Sequence, residues 1–95
     1  MHAVIRKYTA GPEVAAAARP KLDNLKQTMR QTPGFVAYYF LETPDGITTI
    51  TITDDETGTT ESMSRAANWV KQNLPDSNLG TPDVTTGQVM MNATR

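Results

Sequence analysis

The chain has 95 residues and a mass of 10.4 kDa, enough for one domain over residues 1–95 and too little for two. Nine Lys and Arg against ten Asp and Glu leave a net charge of −1, which argues against a non-specific nucleic-acid binder or a polybasic membrane module. There is no cysteine, and the single histidine is His2. Disulfides, thiolate metal sites and a Cys nucleophile are excluded, and a His-based triad or multi-His metal centre is hard to assemble. No apolar run approaches the ~20 residues that span a membrane. Met1 begins no signal peptide, and the cytoplasm is the expected compartment.

Ala3 to Thr9 is rich in β-branched and aromatic residues and predicts a first strand. Gly11-Pro12-Glu13 then opens a helix. Val14, Ala18, Leu22, Leu25 and Met29 recur at helical spacing, and Pro20 either kinks that helix or divides it into Glu13–Arg19 and Lys21–Gln31. Phe35 to Glu42 predicts a second strand, apolar on both faces. Thr43-Pro44-Asp45-Gly46 is a tight-turn signal, and Ile47 to Thr53 completes a hairpin.

Asp54 to Gly58 is expected as an acidic loop, with Thr59 or Thr60 capping a second helix that runs to Leu74. Met63, Ala66, Ala67, Val70 and Leu74 are its expected core stripe. Pro75-Asp76 stops it, a loop runs from Asp76 to Asp83, and Gly87 to Asn92 predicts a last short strand. The order is β-α-β-β-α-β, an α+β ferredoxin-like fold: a four-stranded antiparallel sheet with helices on one face. Phe35, Tyr38, Tyr39, Phe40 and Leu41, with Val89, Met90 and Met91, make the uncovered face too apolar to stay wet. A homodimer with two sheets packed face to face is the expected solution.

With the strand AVIRKYT, the Pro33-Gly34-Phe35 entry to the second strand, the hairpin and the run from Glu61 to Trp69, the chain resembles the dimeric α/β-barrel superfamily, in particular its antibiotic-biosynthesis-monooxygenase-like branch. That resemblance implies a cleft between sheet and helices for a small aromatic or quinone-like ligand, and cofactor-independent oxygenation as an activity. Quinone monooxygenases of this type hold a phenolic substrate with Trp, Asn, Arg and Tyr, groups that Trp69, Asn68, Arg6 and Tyr8 offer here. Haem-degrading members carry an Asn on the first strand and a His about ten positions after the helix-two Trp. This chain has neither, so the resemblance points away from haem degradation and implies no cofactor.

Read from the residues, Trp69 lies about 100° of helix off the Val70 position and is expected to flank the core, either lining a cleft or sealing the helix–sheet edge. Arg6 and Tyr8 share a strand face with Val4. Arg6 there either stabilises an oxyanion or pairs with an acidic residue across strands. Tyr38 and Tyr39 point to opposite faces, so at most one meets a given cavity, and Thr49, Thr51 and Thr53 are expected to fill a sheet surface. The alternative to an enzyme is a non-catalytic ligand-binding or assembly domain in which these side chains only pack.

Overall fold

The computed structural model describes residues 1–74 and 79–95. Strand β1 (His2–Thr9) leads to helix α1 (Pro12–Ala18), a 3₁₀ turn (Arg19–Lys21) and helix α2 (Leu22–Arg30). Strands β2 (Phe35–Thr43) and β3 (Gly46–Thr53) form the hairpin, and helix α3 (Glu56–Asn73) and strand β4 (Asp83–Gln88) follow. The sheet order is β2-β3-β1-β4, antiparallel throughout.

Pro20 divides the first helix as one of the two expected outcomes has it, because a proline has no N–H to donate to the carbonyl of the preceding turn. Val14, Ala18, Leu25 and Met29 are buried along one stripe spanning both halves. Gly46 closes the hairpin with φ of 157°, a backbone region almost reserved for glycine, and a Cβ there would strike the Tyr8 carbonyl. Gly46→Ala is expected to cost about 1–3 kcal/mol, read as a lower urea midpoint with an unchanged slope.

Three expectations about the second half are corrected. The acidic segment is not all loop: α3 begins at Glu56, and the Asp55 side chain accepts the Gly58 N–H at 3.0 Å, taking the capping role expected of Thr59 or Thr60. The buried stripe of α3 is Gly58, Thr59, Ser62, Ala66 and Trp69, while Met63, Ala67 and Val70 are only half-buried. The last strand is Asp83–Gln88, paired with β1, and the apolar run expected to form it begins where the strand ends. The expected helix stop at Pro75-Asp76 lies outside the described residues.

Sheet register sets the two faces. His2, Val4, Arg6 and Tyr8 stand opposite Thr53, Thr51, Thr49 and Ile47, and this face lies under the helices. Ile50 and Ile52 sit on the open face with Ala3, Ile5, Tyr39 and Leu41. The threonines expected to fill a sheet surface are thus core residues. Their short side chains let α3 come close: a Cβ on Gly58 would lie 2.7 Å from that of Thr53. Local carbonyls accept from three of the buried hydroxyls: Thr53 to Asp55 O at 2.6 Å, Thr59 to Glu56 O at 3.0 Å and Ser62 to Thr59 O at 2.6 Å.

Candidate functional site

At one end of the space between helices and sheet, β1 presents Arg6 and Tyr8, β2 presents Tyr38 and Phe40, and β3 presents Thr49. Trp69 of α3 and Leu25 of α2 form the opposite wall. Strand alternation places every second residue of β1 here, and the α3 stripe turns Trp69 down onto them.

Trp69 is not a flanking residue. It is 4% exposed and packs with Ala18, Leu25, Met29, Ala66 and Leu74. Its indole N–H donates to Asn24 Oδ1 at 2.8 Å, which joins α3 to α2 and occupies the only polar atom of the ring. Asn68 is exposed on α3 and does not line the cavity, whereas Arg6, Tyr8 and Trp69 all do.

Arg6 is 7% exposed and carries a positive charge into this interior. Across the sheet it faces Thr49 and Val84 rather than an acidic residue. The salt bridges among the described residues are Arg19–Glu42 and Arg65–Glu61, so no described carboxylate neutralises Arg6. Its guanidinium donates to the Tyr8 hydroxyl and lies 5.4 Å from the centroid of that ring. Tyr38 lines the cavity beside Thr49 and feels the same charge. Burying an unpaired cation is costly, and such groups are normally paired or neutralised.

Burial pushes both the Tyr8 and Tyr38 phenols up from their ordinary value of 10.0, against the opposing pull of Arg6. Both therefore stay protonated at neutral pH and serve as donors rather than bases. The sign of the linkage follows: a folded-state value above the unfolded one stabilises fully below about pH 10. That contribution disappears as pH climbs through the folded values. Phenolate absorbance should show two tyrosines resisting ionisation until the protein unfolds in alkali. Tyr38→Phe should remove one of them.

The enclosed void between these groups is about 20 Å³, room for about one water molecule. A shallower groove of about 350 Å³ lies beside it between α2 and β2, and Leu25, Tyr38 and Phe40 line both. Sequence reasoning missed two contributors. Leu25 was legible only as a core residue, and Asn24 is 45 positions from the ring it holds. Tyr38 was flagged by alternation alone, which leaves open the face it takes.

No protein-family model matches the chain, and no curated protein matches it. Solved structures match it over nearly its whole length. NE2512, a protein of unknown function from Nitrosomonas europaea, superposes with a TM-score of 0.76 at 18% identity, covering 99% of this chain and 93% of that one. The monooxygenase ActVA-Orf6 of Streptomyces coelicolor, solved with nanaomycin D, gives 0.67 at 16% identity over 99% and 90%. SnoaB, a cofactor-independent oxygenase from Streptomyces nogalater, gives 0.67 at 11% over 99% and 97%. Several further matches carry the name antibiotic biosynthesis monooxygenase. At these identities the likeness establishes the fold. The chain has the α+β ferredoxin-like fold seen in these solved monooxygenase structures.

Proposed function

We propose that the chain binds a small acidic aromatic or quinone-like molecule between sheet and helices, works as a homodimer, and supports cofactor-independent oxygenation of that molecule. The observation that carries the reading is Arg6: a buried guanidinium with no carboxylate partner among the described residues, ringed by the hydroxyls of Tyr8, Tyr38 and Thr49. A buried cation beside three hydroxyls suits a ligand that arrives with an oxyanion. Trp69 supplies an aromatic wall and Arg6 the charge, with Tyr8 donating beside it. Asn68, exposed on α3, has no part in this reading of the interior.

The chemistry fits a substrate that is acidic by itself. Both phenols are held protonated, so proton removal falls to solvent or to the substrate's own acidity. The site's contribution is to stabilise the resulting enolate or phenolate as its carbon meets O₂. One oxygen atom stays on a methylene carbon as a carbonyl, and the other leaves as water with the two hydrogens. The oxygenases named among the structural neighbours support this choice of reaction class.

A second reading, ligand binding without turnover, rests on the same buried cation, and in either reading the ligand widens the 20 Å³ void by displacing Leu25 or Phe40. Oxygen uptake with an anthrone-type phenol separates the two. Uptake above the spontaneous rate that disappears in Arg6→Met supports the enzyme. Saturable binding without uptake selects the binding protein, and absence of both removes each reading.

The open sheet face supports the homodimer. Tyr39 is 53% and Leu41 40% exposed, beside half-buried Ile5, Ile50 and Ile52, a contiguous apolar surface of the kind that marks an interface. Light scattering is expected to give twice the 10.4 kDa chain mass, and Leu41→Glu to return it to that of one chain.

A further inference from the structure

The groove between α2 and β2, about 350 Å³, reaches the size of a small-molecule site, while the interior void of about 20 Å³ beside it does not. A bulge builds its floor. The register of β2 against β3 slips by one residue between Phe35 and Ala37, so Phe35 stands opposite Thr53 and Tyr38 opposite Thr51, both on the helix side. Strict alternation would have sent these two rings to opposite faces, and the slip adds Phe35 to the groove that Tyr38 and Phe40 also line. Helix α2 contributes Leu22 and Leu25 and, one turn apart, the exposed cations Lys26 and Arg30. Neither cation forms an ion pair among the described residues, and no acidic side chain lines the groove. Glu42, near the end of β2, is held by Arg19 at 3.0 Å. Arg30 in the last turn suits the negative end of the helix dipole, but Lys26 has no such role.

We propose that the groove is the outer half of the ligand site, and that Lys26 and Arg30 select ligands carrying a second acidic group, a carboxylate on a short arm away from the reacting ring. This inference rests on the reading of Arg6 as the partner of a ligand oxyanion. Leu25, Tyr38 and Phe40 line groove and interior alike, so they form the wall between them. Displacing Leu25 or Phe40 joins the two spaces. The oxyanion then reaches the Arg6 guanidinium inside, and the rest of the molecule lies in the groove against Phe35. A carboxylate matches the rim because a guanidinium takes it bidentately, while a neighbouring ammonium adds charge without demanding one geometry. The whole chain carries a net charge of −1, so two uncompensated cations at this opening draw anions to it against the overall repulsion. The ligand class is therefore a dianion: an acidic phenol or hydroxyquinone bearing an alkanoic acid.

Two compounds of matched size separate the groove from the interior: a hydroxynaphthoquinone carrying a butyl side chain, and the same ring carrying a carboxypropyl side chain. Equilibrium dialysis measures the affinity for each without relying on Trp69. The natural chain is expected to bind the carboxypropyl compound about 3–30-fold more tightly, the yield of two ion pairs at an open surface. The double variant Lys26→Gln with Arg30→Gln, changed at two exposed positions, should lose that preference and keep its affinity for the butyl compound. Equal affinities in the natural chain, or a preference that survives the double variant, overturns the role of the rim and leaves the reading of Arg6 standing. Binding of neither compound removes both. Affinity for the carboxypropyl compound that rises as the protein is diluted to single chains means that a second copy fills the groove, which also overturns the inference.

Discussion

Trp69→Ala is expected to lower stability by about 3–5 kcal/mol, the largest effect of any single truncation in this chain. The ring is 4% exposed at the centre of the cluster formed by Ala18, Leu25, Met29, Ala66 and Leu74, and no nearby large side chain is free to fill its volume. The same change deletes the N–H bond to Asn24 that holds α3 to α2. Domains of this size hold only ~5–15 kcal/mol in total, so the variant should be substantially unfolded when warm. Trp69→Phe should cost clearly less, because Asn24 is exposed and regains water. Urea denaturation followed by circular dichroism reads both. Equal losses would mean that the hydrogen bond, not the ring, anchors the helix.

Arg6→Met is expected to move stability and binding in opposite directions. Replacing a buried charge by an apolar side chain of similar length is commonly neutral or stabilising by about 1–4 kcal/mol, and Tyr8, only half-buried, turns to water for its lost partner. The affinity for an anionic phenol should fall by about 2–5 kcal/mol, the usual result of removing one member of a buried charged pair. Within the described chain Arg6 is held by the Tyr8 hydroxyl and ring and neutralised by no carboxylate, so the proposed anionic ligand would be its counter-charge. A large loss of stability in Arg6→Met would instead make Arg6 a structural residue.

The hairpin, the broken first helix and the element order were legible because their signals are local: a Pro-Asp-Gly turn, a proline in a helical stripe, and alternation. The position of β4 was not. Asp83–Gln88 buries no side chain and is chosen by backbone pairing to β1, whereas the more strand-like Val89–Asn92 follows it outside the ladder, with one bond from Val89 N–H to the Met1 carbonyl. The phase of α3 was missed because its buried stripe is built from Gly58, Thr59 and Ser62, small residues that let the helix approach a sheet face of threonines. A hydrophobicity pattern counts these as polar and rotates the helix toward Met63 and Val70. That rotation also moved Trp69 to the flank. Of the site, period-two spacing brought Arg6 and Tyr8 to one face, but only the tertiary fold sets Trp69 and Tyr38 over them and turns Asn68 outward.

Trp69 is the sole tryptophan and lines the same cavity as Arg6, so its emission reports directly on whether that cavity takes an oxyanion. Titration with an anthrone-type phenolate should quench it saturably in the natural chain and only weakly in Arg6→Met. Superimposable curves for the two proteins, or no quenching in either, would contradict the assignment of this cavity as an anion-binding site.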